Sequence, residues 1–249
     1  MTVETQERTD DAMYRGAVRV LQHRKGYRFS FDAVLLAYAV AQRRPAFGVE
    51  LCAGSGVVSL CVAHLLPQYR GYAVEVQPGL AALAAENVER NGCSDRIEVV
   101  ERDARRFVRP RSEAATVFMN PPYFAPGEGP SSPNLERAAA RHQMHGTLTE
   151  LLGAAREAAG EGEVVFVYPG EREAQAVAAA RAAGLASLTL THVRPRPGAA
   201  ATFLLVRCTA NGSSGIEVSD GMLLQDDAGE MSDEHRCVLD GLLRDGVLR

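Results

Sequence analysis

The stretch Ala115-Thr116-Val117-Phe118-Met119-Asn120-Pro121-Pro122-Tyr123 reads as a buried β-strand that stops on two prolines. Thr116, Val117 and Phe118 favour a pleated, packed surface. Proline gives the ladder no N–H and restricts the residue before it, so the strand ends at Asn120. The result is a stiff polar elbow at a strand's carboxyl end, where open parallel α/β sheets place their ligands. Asn120 brings a side-chain carbonyl, Pro121 a backbone carbonyl outside any ladder, and Tyr123 a flat ring for stacking. Two acceptors beside an aromatic face suit a planar group bearing an NH2. A lone Asn-Pro-Pro is equally at home in an ordinary turn, so the reading needs a second signal upstream.

That signal is Gly48-Val49-Glu50-Leu51-Cys52, a short strand, followed by Ala53-Gly54-Ser55-Gly56 and an apolar helix over residues 57–66. Strand, glycine turn and helix form the unit that holds nucleotide-type cofactors: the glycines let the backbone approach the ligand, and the helix N-terminus favours an anion. A dinucleotide fingerprint wants a third Gly or Ala at position 59, where Ser59 stands. Instead an acid, Glu50, lies at the end of the strand. A second acid, Glu75, ends the strand over residues 72–76 and is placed to accept both hydroxyls of a ribose. Pro78 opens the next helix, with Leu80, Leu83, Ala84 and Val88 on one face and Asn91-Gly92 as its stop. A third strand over residues 97–100 leads to Asp103, which is well placed for an adenine amino group, with a helix N-cap as the lesser alternative.

Outward from these strands the pattern stays regular. Residues 1–17 read as a disordered tail, and residues 18–29 as a hairpin turning at Lys25-Gly26. Ser30 reads as the N-cap of a helix that carries Asp32 in its first turn and ends before Pro45. A Gly/Pro/Ser-rich loop over residues 125–133 follows the elbow, and residues 135–143 have helical propensity. His142 and His145 read as exposed side chains, because neither metal spacing nor a nucleophile accompanies them. An amphipathic helix over residues 147–159, a buried strand over residues 163–169 and an alanine-rich helix over residues 171–183 complete the alternation. Two antiparallel strands, 188–193 and 201–208, then flank Arg194-Pro195-Arg196-Pro197-Gly198. A tail with a short strand at residues 216–218 and a helix from Ser232 ends the chain. Alternating strands and helices from Val49 to Gly184 give an α/β, doubly wound sheet. The reading is one domain over residues 18–249: an N-terminal hairpin and helix (18–47), a core (48–210) and a C-terminal strand and helix (211–249).

Composition narrows the function classes. No apolar run reaches membrane-span length, and no secretory leader is evident, so the expectation is a cytoplasmic protein without a membrane partner. Five scattered cysteines without a C-x-x-C pair point away from a disulfide framework and a structural metal. A net charge of −4 gives no global pull toward nucleic acid, yet arginines cluster at Arg24/Arg28, Arg137/Arg141 and Arg194/Arg196.

Taken together, the chain resembles the class I S-adenosylmethionine-dependent methyltransferases, and within them the bacterial tRNA1(Val) adenine-37 N6-methyltransferase family. The resemblance lies in Arg28 to Ala37, Glu50-Leu51-Cys52-Ala53-Gly54-Ser55-Gly56, Val74-Glu75, Asp103 and Asn120-Pro121-Pro122-Tyr123, and extends through Pro195-Arg196-Pro197-Gly198 to the segment Asp226 to Ser232. It implies a seven-stranded Rossmann-like sheet with only the last strand antiparallel, working as a monomer without metal. It implies S-adenosylmethionine held by Ser30, Asp32, Glu50, Cys52, Gly54, Gly56, Glu75, Asp103 and Asn120. Catalysis falls to Asn120, Pro121 and Tyr123, and tRNA contacts to the six arginines named above. The family's glycine loop usually begins Asp-x-Gly, whereas Cys52 stands here and narrows the room beside the methionine moiety.

Such residues fit methyl transfer to an adenine amine, a poor nucleophile whose N–H groups the Asn120 and Pro121 carbonyls would hold. Tyr123 would stack on a base rotated out of its neighbours, a role for the ring and not for the hydroxyl. Rival readings are a glutamine-amide methyltransferase acting on peptide release factors and an idle cofactor-binding RNA module. The former enzymes resemble one another in a sizeable helical N-terminal domain, and only 48 residues precede Val49. Guanine-N2 enzymes more often carry Phe after the prolines.

Overall fold

The computed structural model describes residues 7–25, 28–110, 115–123, 146–211, 213–219 and 221–244. An antiparallel hairpin, β1 (Arg8–Met13) and β2 (Val18–His23), comes first. There follow α1 (Phe31–Gln42), β3 (Phe47–Leu51), α2 (Val57–Leu65), β4 (Arg70–Glu75), α3 (Pro78–Arg90) and β5 (Ile97–Glu101). Next in the chain are β6 (Thr116–Met119), α4 (Leu148–Ala159), β7 (Glu163–Pro169), α5 (Glu173–Ala182), β8 (Ser187–Arg194) and β9 (Phe203–Thr209). The described chain ends with β10 (Gly215–Val218), β11 (Met222–Leu223) and α6 (Asp233–Asp240).

The large sheet has the order β5-β4-β3-β6-β7-β9-β8-β10, with β11 also paired to β8. Among the described strands β9 alone runs against its neighbours; all other pairings in this sheet are parallel. The seven strands from β3 to β9 thus form the expected doubly wound sheet with its last strand reversed, and β10 and β11 extend it beyond β8. Alternation of side chains builds the two layers. Val117, Met119, Val164, Phe166 and Tyr168 pack with residues of α4 and α5, while Phe118, Val165 and Val167 pack with α1 and α2. Every central strand is therefore covered on both faces, which is why these segments read as unbroken apolar runs.

Close packing shows in one detail at the amino ends of β3 and β4. Gly48 and Gly71 are register partners, and the Tyr69 ring lies over both. A Cβ on Gly71 would sit 2.3 Å from the Gly48 carbonyl and 2.6 Å from the Tyr69 hydroxyl. The missing side chains are the space that the ring fills.

The N-terminus departs from its expected reading. Residues 8–13 are a strand and not part of a disordered tail, and the hairpin turns at Tyr14-Arg15-Gly16, all three with positive φ, instead of at Lys25-Gly26. The reason lies in charges that read as self-repelling in sequence but are paired in space. Asp10 accepts from Arg19 and from Arg90 of α3, Arg8 meets Glu86, and Arg28 meets Asp11. The helical segment expected at residues 135–143 lies outside the described residues.

Candidate active site

Parallel strands present their carboxyl ends at one edge, and there β3, β4, β5 and β6 open into a cleft of about 590 Å³. Cys52, Gly54, Glu75, Asp103 and Asn120 line it, with Leu80 of α3 and Leu151 of α4 supplying apolar wall. Sequence reading missed the two leucines, whose helical periodicity marks burial and says nothing of a cleft. Ser30, Asp32, Glu50 and Gly56 are not among the lining residues.

The acids play different parts. Glu75 is buried, and its carboxylate accepts from the Gly54 amide at 2.8 Å and the Gln77 amide at 3.0 Å. It thereby fastens the glycine turn to the end of β4. Asp103 lines the cleft, and it also caps the short turn Ala104–Arg106 by accepting from the Arg105 amide at 3.0 Å. The Arg105 guanidinium also grips it, which holds its carboxyl below the usual range. Glu50 lies beneath the turn, accepting from the Ser59 amide at 2.8 Å. Burial pushes its carboxyl up to about 8, against the pull of Ser59, with Glu75 adding a smaller push upward.

The turn itself carries a conformational cost. Cys52 has φ +58°, in the left-handed region where a Cβ is disfavoured. Burial, then the neighbouring Glu75, raises its thiol well above the ordinary range, so the group is a neutral wall of the cleft. Behind the turn stands Asn87 of α3, fully buried. Its amide nitrogen donates to the carbonyls of Leu21 and Ser55, each at 3.0 Å, and its oxygen accepts from the Leu21 amide at 2.8 Å. Nothing in the sequence pattern marks this residue, because all its partners are backbone atoms.

At the elbow, Asn120 and Tyr123 meet Asp32. The Asn120 nitrogen donates to Asp32 Oδ2 at 2.9 Å, and the Tyr123 hydroxyl lies 2.7 Å from the same oxygen. That hydroxyl also bonds to Asn120 Oδ1. Contrary to the expectation of a ring-only role, the Tyr123 hydroxyl is engaged. Its backbone carbonyl accepts from Arg172 at 3.1 Å and Tyr168 at 3.4 Å, and its ring meets Tyr168 edge-on at 5.5 Å. Ser30 precedes α1 at the expected N-cap position, but its hydroxyl goes to Asp32 instead of the helix amides.

The six arginines separate. Arg24 pairs with Glu7, and Arg28 is held by Asp11 and Thr9 on the hairpin. Arg137 and Arg141 lie outside the described residues, as do His142 and His145. Arg194 ends β8, and Arg196 follows it; neither forms an ion pair among the described residues. Because β8 and β6 run the same way, Arg194 and Asn120 share the sheet's carboxyl edge, three strands apart in the order given by the sheet. That is roughly 14 Å at the usual strand spacing. No helix among the described residues is long and apolar enough to cross a membrane. Among them no cluster of three or more His, Cys, Asp or Glu could hold a metal.

Comparison with known proteins places this geometry in context. Residues 36–127 match the family model described as the TRM5/TYW2 methyltransferase domain. The chain is 30% identical over 189 residues to a tRNA1(Val) (adenine(37)-N6)-methyltransferase of Bacteroides thetaiotaomicron, covering 75% of this chain and 78% of the relative. It is 28% identical over 218 residues to the enzyme of the same name from Yersinia pestis, covering 86% of each. In fold it is similar to the crystal structure of a predicted O-methyltransferase from Agrobacterium tumefaciens, with a TM-score of 0.68 and 22% identity. That match covers 84% of this chain and 96% of the other.

Proposed function

This chain belongs to the family of the bacterial tRNA1(Val) (adenine(37)-N6)-methyltransferases, and on that premise we propose that it methylates the N6 amine of an adenine in structured RNA, adenine 37 of a tRNA anticodon loop foremost. As a methyltransferase of this family it uses S-adenosylmethionine, which supplies an electrophilic methyl group on a sulfonium. The cleft suits that cofactor: acidic residues at two strand ends face a cationic, hydroxyl-bearing ligand, and apolar side chains of α3 and α4 flank them. Gly56 has φ +78°, a conformation that a residue with a side chain rarely adopts, and a Cβ there would press on Ala84 at 3.3 Å. Glu75 takes the ribose hydroxyls and Asp103 the adenine amine, while Cys52 and Gly54 border the methionine end.

The observation that carries the substrate reading is Asn120, a side-chain amide at the end of β6 that lines the same cleft. An adenine amine is a poor nucleophile because its lone pair is delocalised into the ring. Accepting its two N–H groups on the Asn120 and Pro121 carbonyls localises that lone pair and aims it. The protein's remaining task is alignment, which needs neither a metal nor a covalent intermediate. Tyr123 faces a base turned out of its stack, and a loop adenine is easier to turn out than a paired one. Purified protein with methyl-labelled cofactor and bulk tRNA should label RNA, with N6-methyladenosine in the digest. Label in release-factor glutamine and none in RNA would overturn the reading.

A further inference from the structure

Asp32 is the second residue of α1 and is 6% exposed. Its Oδ1 accepts from the Ser30 hydroxyl and, at 2.9 Å, from the Ala33 amide. Its Oδ2 accepts from the Asn120 nitrogen at 2.9 Å and the Tyr123 hydroxyl at 2.7 Å. An ionised carboxylate offers about four acceptor positions, and the chain's own groups take three of them, with the Tyr123 hydroxyl proton shared between the fourth and Asn120 Oδ1. Asp32 also stands outside the cleft lining, behind Asn120. Its hydrogen bonds go to the chain's own groups.

What it does control is the direction of an amide. A carboxylate only accepts, so turning the Asn120 amide over would set its oxygen against Asp32 Oδ2. The nitrogen is thereby tied to Asp32, and Oδ1 is the atom left to face other donors. In the structure that other donor is the Tyr123 hydroxyl, which has one proton and lies within bonding distance of two acceptors.

We propose that Asp32 is a positioning residue for methyl transfer: it fixes the Asn120 amide, directly and beside the Tyr123 hydroxyl, so that the Asn120 oxygen is the atom presented to a target NH2. The inference rests on the reading that Asn120 receives the target amine. It assigns Asp32 a role distinct from the cofactor contact implied by family resemblance. Its location in the first turn of α1 suits the task, because the helix N-terminus stabilises the negative charge.

The test compares Asp32→Asn, Asn120→Ala and the double variant on whichever NH2 substrate, RNA or protein, the wild type labels. Asp32→Asn is nearly isosteric and lets the Asn120 amide turn over. Its kcat should fall roughly tenfold or more, with cofactor Kd by calorimetry within about twofold of wild type. Adding Asp32→Asn to Asn120→Ala should cost little further, because the first acts through the second. The side-chain amide signals of Asn120 in nitrogen-15 spectra, recorded without cofactor or substrate, should shift in Asp32→Asn. A cofactor Kd raised roughly tenfold with kcat intact at saturation would make Asp32 a cofactor ligand and overturn the proposal. Independent, additive losses in the double variant would overturn it as well. Labelling of release factor alone would sink the RNA reading, and the Asp32 comparison would then be made on that glutamine amide.

Discussion

The side chain of Asn87 exchanges two hydrogen bonds with the Leu21 peptide, at 2.8 and 3.0 Å, as a neighbouring strand would. Its second N–H goes to Ser55 in the glycine turn, so one buried amide joins hairpin, helix and turn. Asn87→Leu would leave a buried N–H and two buried carbonyls without that partner. The expected loss is about 2–4 kcal/mol of stability, read by denaturant unfolding. Cofactor affinity should fall with it, because the Ser55 carbonyl is released. Unchanged affinity in the folded variant would mean that the turn keeps its shape unaided.

Cys52→Gly should stabilise the protein. Residue 52 sits at φ +58°, which costs a residue with a Cβ about 1 kcal/mol or more. Relief should raise Tm by roughly 2–4 °C in a chain of this size, while Cys52→Val should lower it. A Tm unmoved or lowered in the glycine variant would show that thiol packing outweighs the backbone cost.

Glu50 predicts a pH effect whose sign runs against the usual carboxylate. Its folded value, about 8, lies above the ordinary 4.5. Below about 4.5 both states carry the proton; between the two values only the folded state does, so stability falls as pH rises through that window. Glu50→Gln has no proton to lose. Between about pH 5 and about pH 8 the wild type should lose roughly a few kcal/mol more than the variant. Parallel stability curves would show that Glu50 ionises freely.

If RNA lies along the carboxyl edge, the Arg194→Ala/Arg196→Ala pair should raise KM for tRNA and flatten its salt dependence. Each lost phosphate contact removes about one unit from the logarithmic salt slope. Cofactor titration should not change. An unaltered slope would move the RNA path away from β8.

Much of this architecture was legible in the chain because strand ends are marked by chemistry. Glu75, Asp103 and Asn120 each close an apolar run, and the sheet brings all three to one cleft. What escaped reading depends on partners distant in sequence. The charges of β1 meet α3 far along the chain, Arg8 with Glu86 at a separation of 78 and Asp10 with Arg90 at 80. Asn87 serves only backbone groups, and Asp32 stands where a cofactor contact is expected yet turns toward Asn120 and Tyr123. Composition reports which residues can make such bonds, and topology decides which of them meet.

The strand added beyond β8 also shapes how this molecule behaves among its own copies. Without β10, the border of the sheet would be the eight residues of β8, a long row of open peptide groups. With it, the border shrinks to Gly215–Val218, four residues with Glu217 at the interior. Ile216 and Val218 are exposed there, at 49% and 57%, and would otherwise invite another chain. So short a border, carrying a charge, offers an incoming strand too few peptide partners to template aggregation.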